Sequence, residues 1–220
     1  MDNGMSDLIK TFGSANKVNI QVFNDLQHTI TGWPGGKPHA DDTTRPERAF
    51  PYPKRVLIFS PHPDDDVISM GGTFARLVEQ GHDVHVAYET SGNIAVLDDY
   101  IYQQMDIAAA FTHLVGGDTQ TMDAAFEKVK QIIADRKPED DEPEELLPFK
   151  GALRRAEARG ADRYLGIPED HVHFLNLPFY ETGSVKKKPL SQADIDIIVK
   201  LLREVQPHQI YAAGDLADPH

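Results

Sequence analysis

The side chains in this sequence best suited to binding a metal ion and moving a proton lie in the segment P-H-P-D-D-D, residues 61–66, directly after the apolar run of residues 56–59. An imidazole and a carboxylate three residues apart, His62 and Asp65, can converge on one ion because the proline between them restricts the turn. Asp64 would then lie free beside the ion, where it could accept a proton from an attacking water molecule. The segment therefore predicts a metal site with its own general base.

Two other interpretations of the aspartates are open. They could cap the following helix, where a hydrogen-bond acceptor and negative charge are favourable. One aspartate is enough for a cap, whereas three like charges at the end of a buried strand cost stability unless a cation compensates. Alternatively, Asp64 and Asp66 could hold Mg²⁺ for phosphoryl transfer through oxygen ligands, with no role for His62. We favour a metal site that includes the histidine.

Composition limits the partners and the ligands. The 220 residues suit one domain with an appendage, and 22 basic against 35 acidic side chains give a net charge of −13. This charge would repel phosphate backbones and anionic lipid, so we expect no nucleic-acid or membrane partner. The sequence has no cysteine, so imidazole and carboxylate must hold any metal. The sequence shows no long apolar run or signal-peptide pattern, which predicts a cytoplasmic location.

The elements that would position these residues follow an α/β pattern. The apolar run before His62 predicts a strand over residues 55–60 that is buried on both faces. Periodicity predicts further strands over residues 83–90, 172–177 and 209–213, and helices over residues 67–80, 108–114, 124–134 and 152–165. Ser191 and Asp194 form a capping signature for one more helix. Gly71 and Gly72 are expected to let the first of these helices pack closely on the sheet.

Ligands of parallel sheets collect beyond the carboxyl ends of the strands. Loops 62–66, 91–93, 178–180 and 215–220 should therefore share one rim, with His220 as a further candidate. Arg154 and Arg155 lie near Glu157 on a predicted helix, where surface ion pairing is the ordinary role. The acidic insert at residues 137–148 is interpreted as a solvated loop. The remaining histidines of the folded part show no ligand spacing and are interpreted as strand or surface residues: His82, His85, His113, His171, His173 and His208.

Several motifs together resemble one family. The segment P-H-P-D-D-D after an apolar strand, with G-G-T at residues 71–73, resembles the LmbE-like or PIG-L family of N-acetylglucosaminyl deacetylases, whose signature is H-P-D-D-E. Residues 90–93, T-S-G-N, are similar to the T-x-G-E loop of that family. Residues 154–166 are similar to its R-x-x-E helix ending in L-G. The similarity runs in family order from Arg55 to His220.

The resemblance implies an α/β, three-layer Rossmann-like fold with a mainly parallel central sheet. The domain would span residues 54–220, after an N-terminal arm or linker over residues 1–53. The implied activity is zinc-dependent removal of acetyl from an N-acetylated amino sugar such as a glucosamine derivative. Some family members are joined to a sugar-phosphate deaminase or isomerase domain, so such a domain is an expected partner. A homo-oligomer is left open.

The resemblance also assigns roles by position. His62 and Asp65 would bind Zn²⁺, and Asp64 would activate the attacking water. Arg154 and Asn93 would lie at the substrate pocket, and His220 would stabilise the oxyanion. The implied set therefore contains two zinc ligands.

The sequence departs from the family pattern in three places. Asp66 and Asn93 stand where the family has glutamate, so we expect different hydrogen bonding around the pocket. The late family motif is H-x-x-H, and the chain ends at His220, three residues before the second histidine. We therefore expect a domain truncated at its C-terminus, with the third zinc ligand beyond His220. The alternative is a catalytically inactive module that binds a sugar or a partner.

Overall fold

A parallel sheet of four strands organises the fold. The computed structural model describes residues 4–20, 53–137, 140–184 and 186–213. In these residues the strands are β1 (Arg55–Ser60), β2 (Asp83–Tyr88), β3 (Val172–Phe174) and β4 (Gln209–Tyr211). They lie in the order β3-β2-β1-β4, and every neighbouring pair is parallel. The predicted α/β fold with a mainly parallel central sheet is confirmed.

The helices agree with the predicted pattern in position but are longer than predicted in the middle of the chain. Their bounds are α1 (Gly4–Phe12), α2 (Asp65–Glu79), α3 (Asp98–Leu114), α4 (Thr119–Asp135), α5 (Leu147–Leu165) and α6 (Gln192–Val205), with short 3-10 turns at Asn93–Ala95 and Glu169–His171. None of the helices in the described part of the chain is long and apolar enough to cross a membrane.

The helices cover both faces of the sheet, which gives three layers. On one face, the even-numbered residues of β1 and β2 pack against α2 and α5, through Phe74, Leu77 and Ala158. On the other face, Leu57 and Ala87 pack against α6 through its last turns. Strands buried on both faces explain why β1 reads as a continuous apolar run instead of an alternating one. The predicted three-layer arrangement is confirmed.

Two local predictions, the end of β3 and the packing of Gly71 and Gly72, need correction. Strand β3 ends at Phe174 instead of Leu177 because Asn176 adopts a left-handed conformation with φ of 48°. Gly71 and Gly72 make no close approach to the sheet: a Cβ on Gly71 would be 3.6 Å from Val67 in ordinary contact, and one on Gly72 would meet nothing within 4 Å. The helix α2 is instead kinked just before them, at Met70.

The acidic insert is not a fully solvated loop, because one of its carboxylates is part of a buried ion-pair network. Glu142 contacts the ammonium of Lys150 at 2.7 Å and the guanidinium of Arg136 at 2.6 Å. The Lys150 side chain is 1% exposed and also contacts Asp98, 3.0 Å away. A buried lysine is stable only when its charge is compensated, and two carboxylates do so here. The network joins the start of α3 to the start of α5.

Two carboxyl groups are buried on either side of one tyrosine hydroxyl, beneath the C-terminal edge of the sheet. The hydroxyl of Tyr88 lies 3.0 Å from Asp66 Oδ2 and 3.2 Å from Asp162 Oδ1, and all three side chains are almost fully buried. A hydroxyl has one proton and can donate to only one carboxylate, so the other contact is satisfied when that carboxyl is protonated. Burial and the neighbouring Asp66 raise the pKa of Asp162 to about 7.

This raised pKa predicts a pH-dependent stability. The ordinary pKa of 3.8 applies in the unfolded chain, so between about pH 4 and about pH 7 the folded state keeps a proton that the unfolded state has lost. The contribution to stability is therefore complete below pH 4 and is lost as the pH rises to 7. Relative to Asp162→Asn, the wild type should lose roughly 2 to 3 kcal/mol of unfolding free energy between pH 5 and pH 8.

Chemical denaturation of both proteins at each pH measures this difference. Asp106→Asn, at an exposed position on α3, is the matched control and should track the wild type at every pH. An identical pH profile for the wild type and Asp162→Asn would show that no proton is held at this pair.

Candidate functional site

The loop after β1 brings His62 and Asp65 into direct contact. Asp65 Oδ2 accepts hydrogen bonds from the His62 backbone amide at 2.9 Å and lies 3.0 Å from His62 Nδ1. The backbone amide of Asp64 also donates to the His62 carbonyl at 2.8 Å, so the loop is as tight as its proline predicts. Both side chains of the pair are partly exposed, at 41% and 33%. An ion from solvent can therefore reach them.

The three consecutive aspartates point to three different partners. Asp64 Oδ2 accepts a hydrogen bond from Arg154 Nη2 at 2.8 Å, whereas Asp66 is buried against Tyr88. Asp64 occupies the N-cap position of α2, but its side chain makes no capping hydrogen bond. The capping interpretation therefore does not explain these residues. Because Asp64 and Asp66 are directed apart, the arrangement required for a magnesium ion held by these two carboxylates is also absent from this loop.

Arg154 does more than pair with its helix neighbour. Its Nη1 donates to Glu157 at 2.6 Å, as surface pairing along a helix predicts. Its Nη2 reaches Asp64, 90 positions earlier in the chain, and the side chain is only 17% exposed. Arg154 therefore links α5 to the loop after β1 and fixes the orientation of the Asp64 carboxylate.

The loop after β2 packs against the loop after β1. The hydroxyl of Thr90 donates to the Pro61 carbonyl at 2.8 Å. Gly92 has a φ of 63°, and a Cβ there would lie 3.0 Å from Pro63 Cδ and 3.4 Å from Arg154 Nε. Glycine is therefore required for two reasons, the left-handed backbone and the close approach. This contact holds the two loops on one side of the cavity described below.

Glu181 organises the same loop from the other side, and the sequence analysis did not identify it. Its carboxylate accepts hydrogen bonds from the Ser91 amide at 2.5 Å, from the Ser91 hydroxyl at 2.8 Å and from Asn93 Nδ2 at 3.2 Å. Asn93, predicted from the resemblance to touch substrate, is 9% exposed and uses its amide for this contact. The signal that could have identified Glu181 is a carboxylate directly after the P-F-Y segment that follows β3.

These residues surround a cavity of about 220 Å³ at the carboxyl ends of β1, β2 and β3. The ring of His62 forms one wall, with the Tyr180 ring edge-on to it at 5.7 Å between centroids. The remaining lining residues are Thr90, Ser91, Gly92, Asn93, Ile94, Ala95 and Glu181. An adjoining cavity of about 280 Å³ shares Ser91, Asn93 and Glu181 and is also lined by Arg155. The cavity lies at the predicted edge of the sheet.

Glu89 is a second carboxylate near the pair that the sequence analysis did not identify. Burial raises its pKa, while the nearby His62 lowers it and the nearby Asp65 raises it. Glu89 is the first residue after β2, and its backbone amide donates to the Ser60 carbonyl at 2.9 Å. It therefore places a second carboxyl group near His62.

The donor set at His62 and Asp65 fits a divalent metal ion. Two ligand atoms bound to one zinc ion at about 2.1 Å in tetrahedral geometry lie about 3.4 Å apart. The observed separation is 3.0 Å, so a small outward shift would admit the ion. Imidazole nitrogen and carboxylate oxygen are ligands that zinc accepts. His220, the remaining catalytic candidate, lies outside the described residues. A separate group that could hold a metal, Asp83, His85 and His171, lies at the opposite end of β2.

Comparison with known protein families shows to which family this chain belongs. The PIG-L model, described as GlcNAc-PI de-N-acetylase, matches residues 57–220. The chain belongs to the PIG-L family. This agrees with the resemblance seen in residues 61–66 and 90–93.

Two curated relatives match this PIG-L chain. It is 58% identical, over all of its 220 residues, to a glucosamine-6-phosphate deaminase-like protein of Bacteroides thetaiotaomicron, and it covers 33% of that protein. It is 26% identical over 179 residues to the diacetylchitobiose deacetylase of Thermococcus kodakarensis, covering 73% of this chain and 59% of the relative. The chain thus spans about a third and about three fifths of the lengths of these relatives.

The contact at Gly92 predicts a specific loss of stability in this PIG-L domain. Gly92→Ala should cost about 1 to 2 kcal/mol for the left-handed backbone and a further 1 kcal/mol or more for the contact with Pro63. Gly81 has a φ of 76° and nothing within 4 Å of an added Cβ, so Gly81→Ala carries the backbone cost alone.

Urea denaturation of the two variants measures the difference between them. A larger loss for Gly92→Ala is expected. Equal losses would mean that the loops after β1 and β2 are not held together at this point.

Proposed function

We propose that this chain is a zinc-dependent N-deacetylase that hydrolyses the acetamide of an N-acetylated amino sugar. The observation that carries the proposal is the contact of His62 Nδ1 with Asp65 Oδ2 at 3.0 Å, with Asp64 held beside them by Arg154. Membership of the PIG-L family and the similarity to a diacetylchitobiose deacetylase support the same chemistry. The proposal concerns residues 54–220 as the catalytic domain and residues 1–53 as an arm or linker.

His62 and Asp65 would hold the zinc ion together with a third ligand. When bound, the ion supplies a Lewis acid that polarises the acetamide carbonyl and makes a neighbouring water molecule more acidic. The two donors suit zinc better than magnesium, because magnesium prefers an octahedral set of oxygen ligands. No cysteine is available to the site in any part of the sequence.

Asp64 is the proposed general base. As a water molecule attacks the carbonyl carbon, Asp64 accepts its proton, and the C–N bond then breaks as that proton passes to the leaving amine. The products are acetate and the free amino sugar. Arg154 donates to Oδ2 of Asp64 at 2.8 Å, and the carboxylate is 43% exposed, so its other oxygen can face the reacting water. His220 is proposed to stabilise the oxyanion that forms on the carbonyl oxygen.

The cavity beside His62 supports a small polar substrate. Its volume of about 220 Å³ is below the roughly 300 to 1,000 Å³ of pockets for drug-sized ligands, which suits a single sugar unit. Tyr180 offers an aromatic ring and a hydroxyl, and Asn93 offers amide atoms at the wall. The adjoining cavity, lined in part by Arg155, gives room for a second unit or a substituent. The name of the archaeal relative, which refers to a disaccharide, is consistent with that extra room.

A sugar-phosphate deaminase domain is the proposed neighbour of this domain. The relative from Bacteroides thetaiotaomicron is about three times as long as this chain, and its name refers to glucosamine-6-phosphate deaminase. A deacetylase beside a deaminase would act on related amino sugars. The cytoplasmic location and any homo-oligomer stay predictions.

A second candidate function is a sugar-binding module without catalysis. It is favoured by one observation: among the described residues, the site at His62 brings together two zinc ligands, one fewer than a catalytic zinc site normally has. Acetate release by this chain, compared with that of a version extended past residue 220, separates the candidates. Activity in the extended version alone would mean that the 220-residue chain is an incomplete enzyme, and activity in neither would favour the binding module.

Removal of the proposed base predicts a large loss of rate. Asp64→Asn keeps the size of the side chain and an oxygen that can face Arg154, but it cannot accept a proton from water. The kcat for acetate release from an N-acetylglucosamine derivative should fall about a hundredfold to ten-thousandfold, with KM and zinc content little changed. Asp123→Asn, at an exposed position on α4, is the matched control. Full activity in Asp64→Asn would overturn the assignment.

Zinc removal is expected to abolish acetate release reversibly. Dialysis of the active form against a chelator should remove the activity, and stoichiometric Zn²⁺ should restore it. The metal-free protein keeps the ligand side chains, so it can bind the ion again. Metal analysis before and after dialysis checks the cause. Undiminished activity in a protein shown to be metal-free would exclude the zinc-dependent mechanism.

A further inference from the structure

A cluster of imidazole and carboxylate groups lies at the opposite edge of the sheet from the candidate active site. Asp83 and His85 are two residues apart on β2 and therefore face the same side of the sheet. His171 is the residue before β3 and His173 lies within β3, which pairs with β2 in parallel register. The sequence predicts strand or surface positions for these histidines, and His85 and His173 do lie in strands. On neighbouring strands, side chains two residues apart share a face, so potential ligands can meet there without the spacing of a loop motif.

We propose that Asp83, His85 and His171 form a second metal site, for zinc or a similar divalent transition-metal ion. Asp83 Oδ1 lies 3.6 Å from His85 Nε2 and 3.4 Å from His171 Nδ1. Ligand atoms around a tetrahedral zinc ion lie about 3.4 Å apart, so both separations from the Asp83 oxygen are close to the value that an ion requires. Three protein ligands and one water molecule would complete the coordination.

His173 supports this site through a contact with His85. Its Nε2 lies 3.1 Å from His85 Nδ1, on the side of the ring away from Asp83. When His85 binds an ion through Nε2, its Nδ1 carries the proton and donates to His173. Such a hydrogen bond fixes the tautomer and the ring orientation of a metal-binding histidine. His173 is thus a positioning residue for the site.

Binding requires the ring of His171 to move and to give up two contacts. Its Nδ1 lies 3.2 Å from the carbonyl oxygen of Val84, to which it can donate only while it carries a proton and binds no metal. The rings of His85 and His171 are stacked, with centroids 4.0 Å apart and an angle of 14° between their planes. A ligand nitrogen directs its lone pair in the plane of its ring, so His171 must turn out of the stack to share an ion with His85. The side chain of His171 is 24% exposed and that of Asp83 is 44% exposed, which gives both the ion and the turning ring access to solvent.

The site would hold the edge of the sheet together. Strand β3 has three residues, and its ladder with β2 is short. An ion bound by Asp83 and His85 of β2 and by His171, the residue before β3, would join the two strands. It would take no part in chemistry at His62, because these ligands lie near the N-terminal ends of the strands and the cavity lies at their carboxyl ends. The proposal is independent of the proposed deacetylase activity, and its test needs no substrate.

The test measures metal binding in a chain that lacks the candidate catalytic ligands. The tag-free variant His62→Ala/Asp65→Ala, freed of metal by dialysis, is titrated with Zn²⁺ by calorimetry and with Co²⁺ by visible absorption. It should bind one ion, and saturating Zn²⁺ should raise its Tm by about 5 °C or more. His171→Ala and Asp83→Asn, each added to this background, should weaken binding more than about a hundredfold and remove the Tm shift. His173→Ala should weaken it about tenfold to hundredfold.

His113→Ala is the matched control, since His113 is an exposed histidine at the end of α3. It should leave affinity and Tm shift unchanged. Circular dichroism shows whether each variant is folded, and the conservative Asp83→Asn substitution keeps the test valid if a histidine variant unfolds. A folded background variant that binds no ion would overturn the proposal. So would an ion whose affinity is unaffected by both His171→Ala and Asp83→Asn.

Discussion

Three consecutive carboxylates at the end of a buried strand are the constraint on which the rest of the site depends. Like charges within one turn are stable only if each has its own partner. Asp64 pairs with a guanidinium of α5, Asp65 with the imidazole of its own loop, and Asp66 with a hydroxyl of β2. Because the partners belong to different elements, the aspartates determine how α5 and β2 are placed around the cavity.

The third of these carboxylates is stabilised differently from the other two. Burial raises the pKa of Asp66, and the nearby Asp162 has a pKa of about 7, so a proton on this buried pair reduces its charge. A cation is therefore not needed below the loop, and the exposed charges near His62 are left to Arg154 and to any bound ion. This separation is why a metal ion would bind at Asp65, which is accessible, and not at Asp66, which is buried.

The fold could be predicted well from the sequence because buried parallel strands are continuous apolar runs and the helices between them have their own period. The length of β3 could not, because V-H-F-L-N-L reads as one strand and the left-handed backbone at Asn176 depends on the loop that follows. The pairing of His62 with Asp65 is local and was predictable. The resemblance placed Arg154 at the pocket, but its contact with Asp64 and the contact of Glu181 with Ser91 were not predictable, because they join residues about 90 positions apart in the chain. The group of Asp83, His85 and His171 was not predicted as a possible metal site. Its residues meet because two neighbouring strands place them side by side, and a spacing along one loop does not reveal this.

Asn93 stands in the loop after β2 where the family pattern has glutamate, yet a carboxylate still contacts this loop. The family pattern places a carboxylate in this loop, whereas here the carboxylate that contacts the loop comes from Glu181, after β3. Three donors from Ser91 and Asn93 already occupy it. A carboxylate has about four acceptor positions, so Glu181 has little capacity left for a substrate hydroxyl. Its role in this chain is therefore to hold the loop in shape, and recognition of a substrate falls to the other groups at the cavity wall, among them Tyr180.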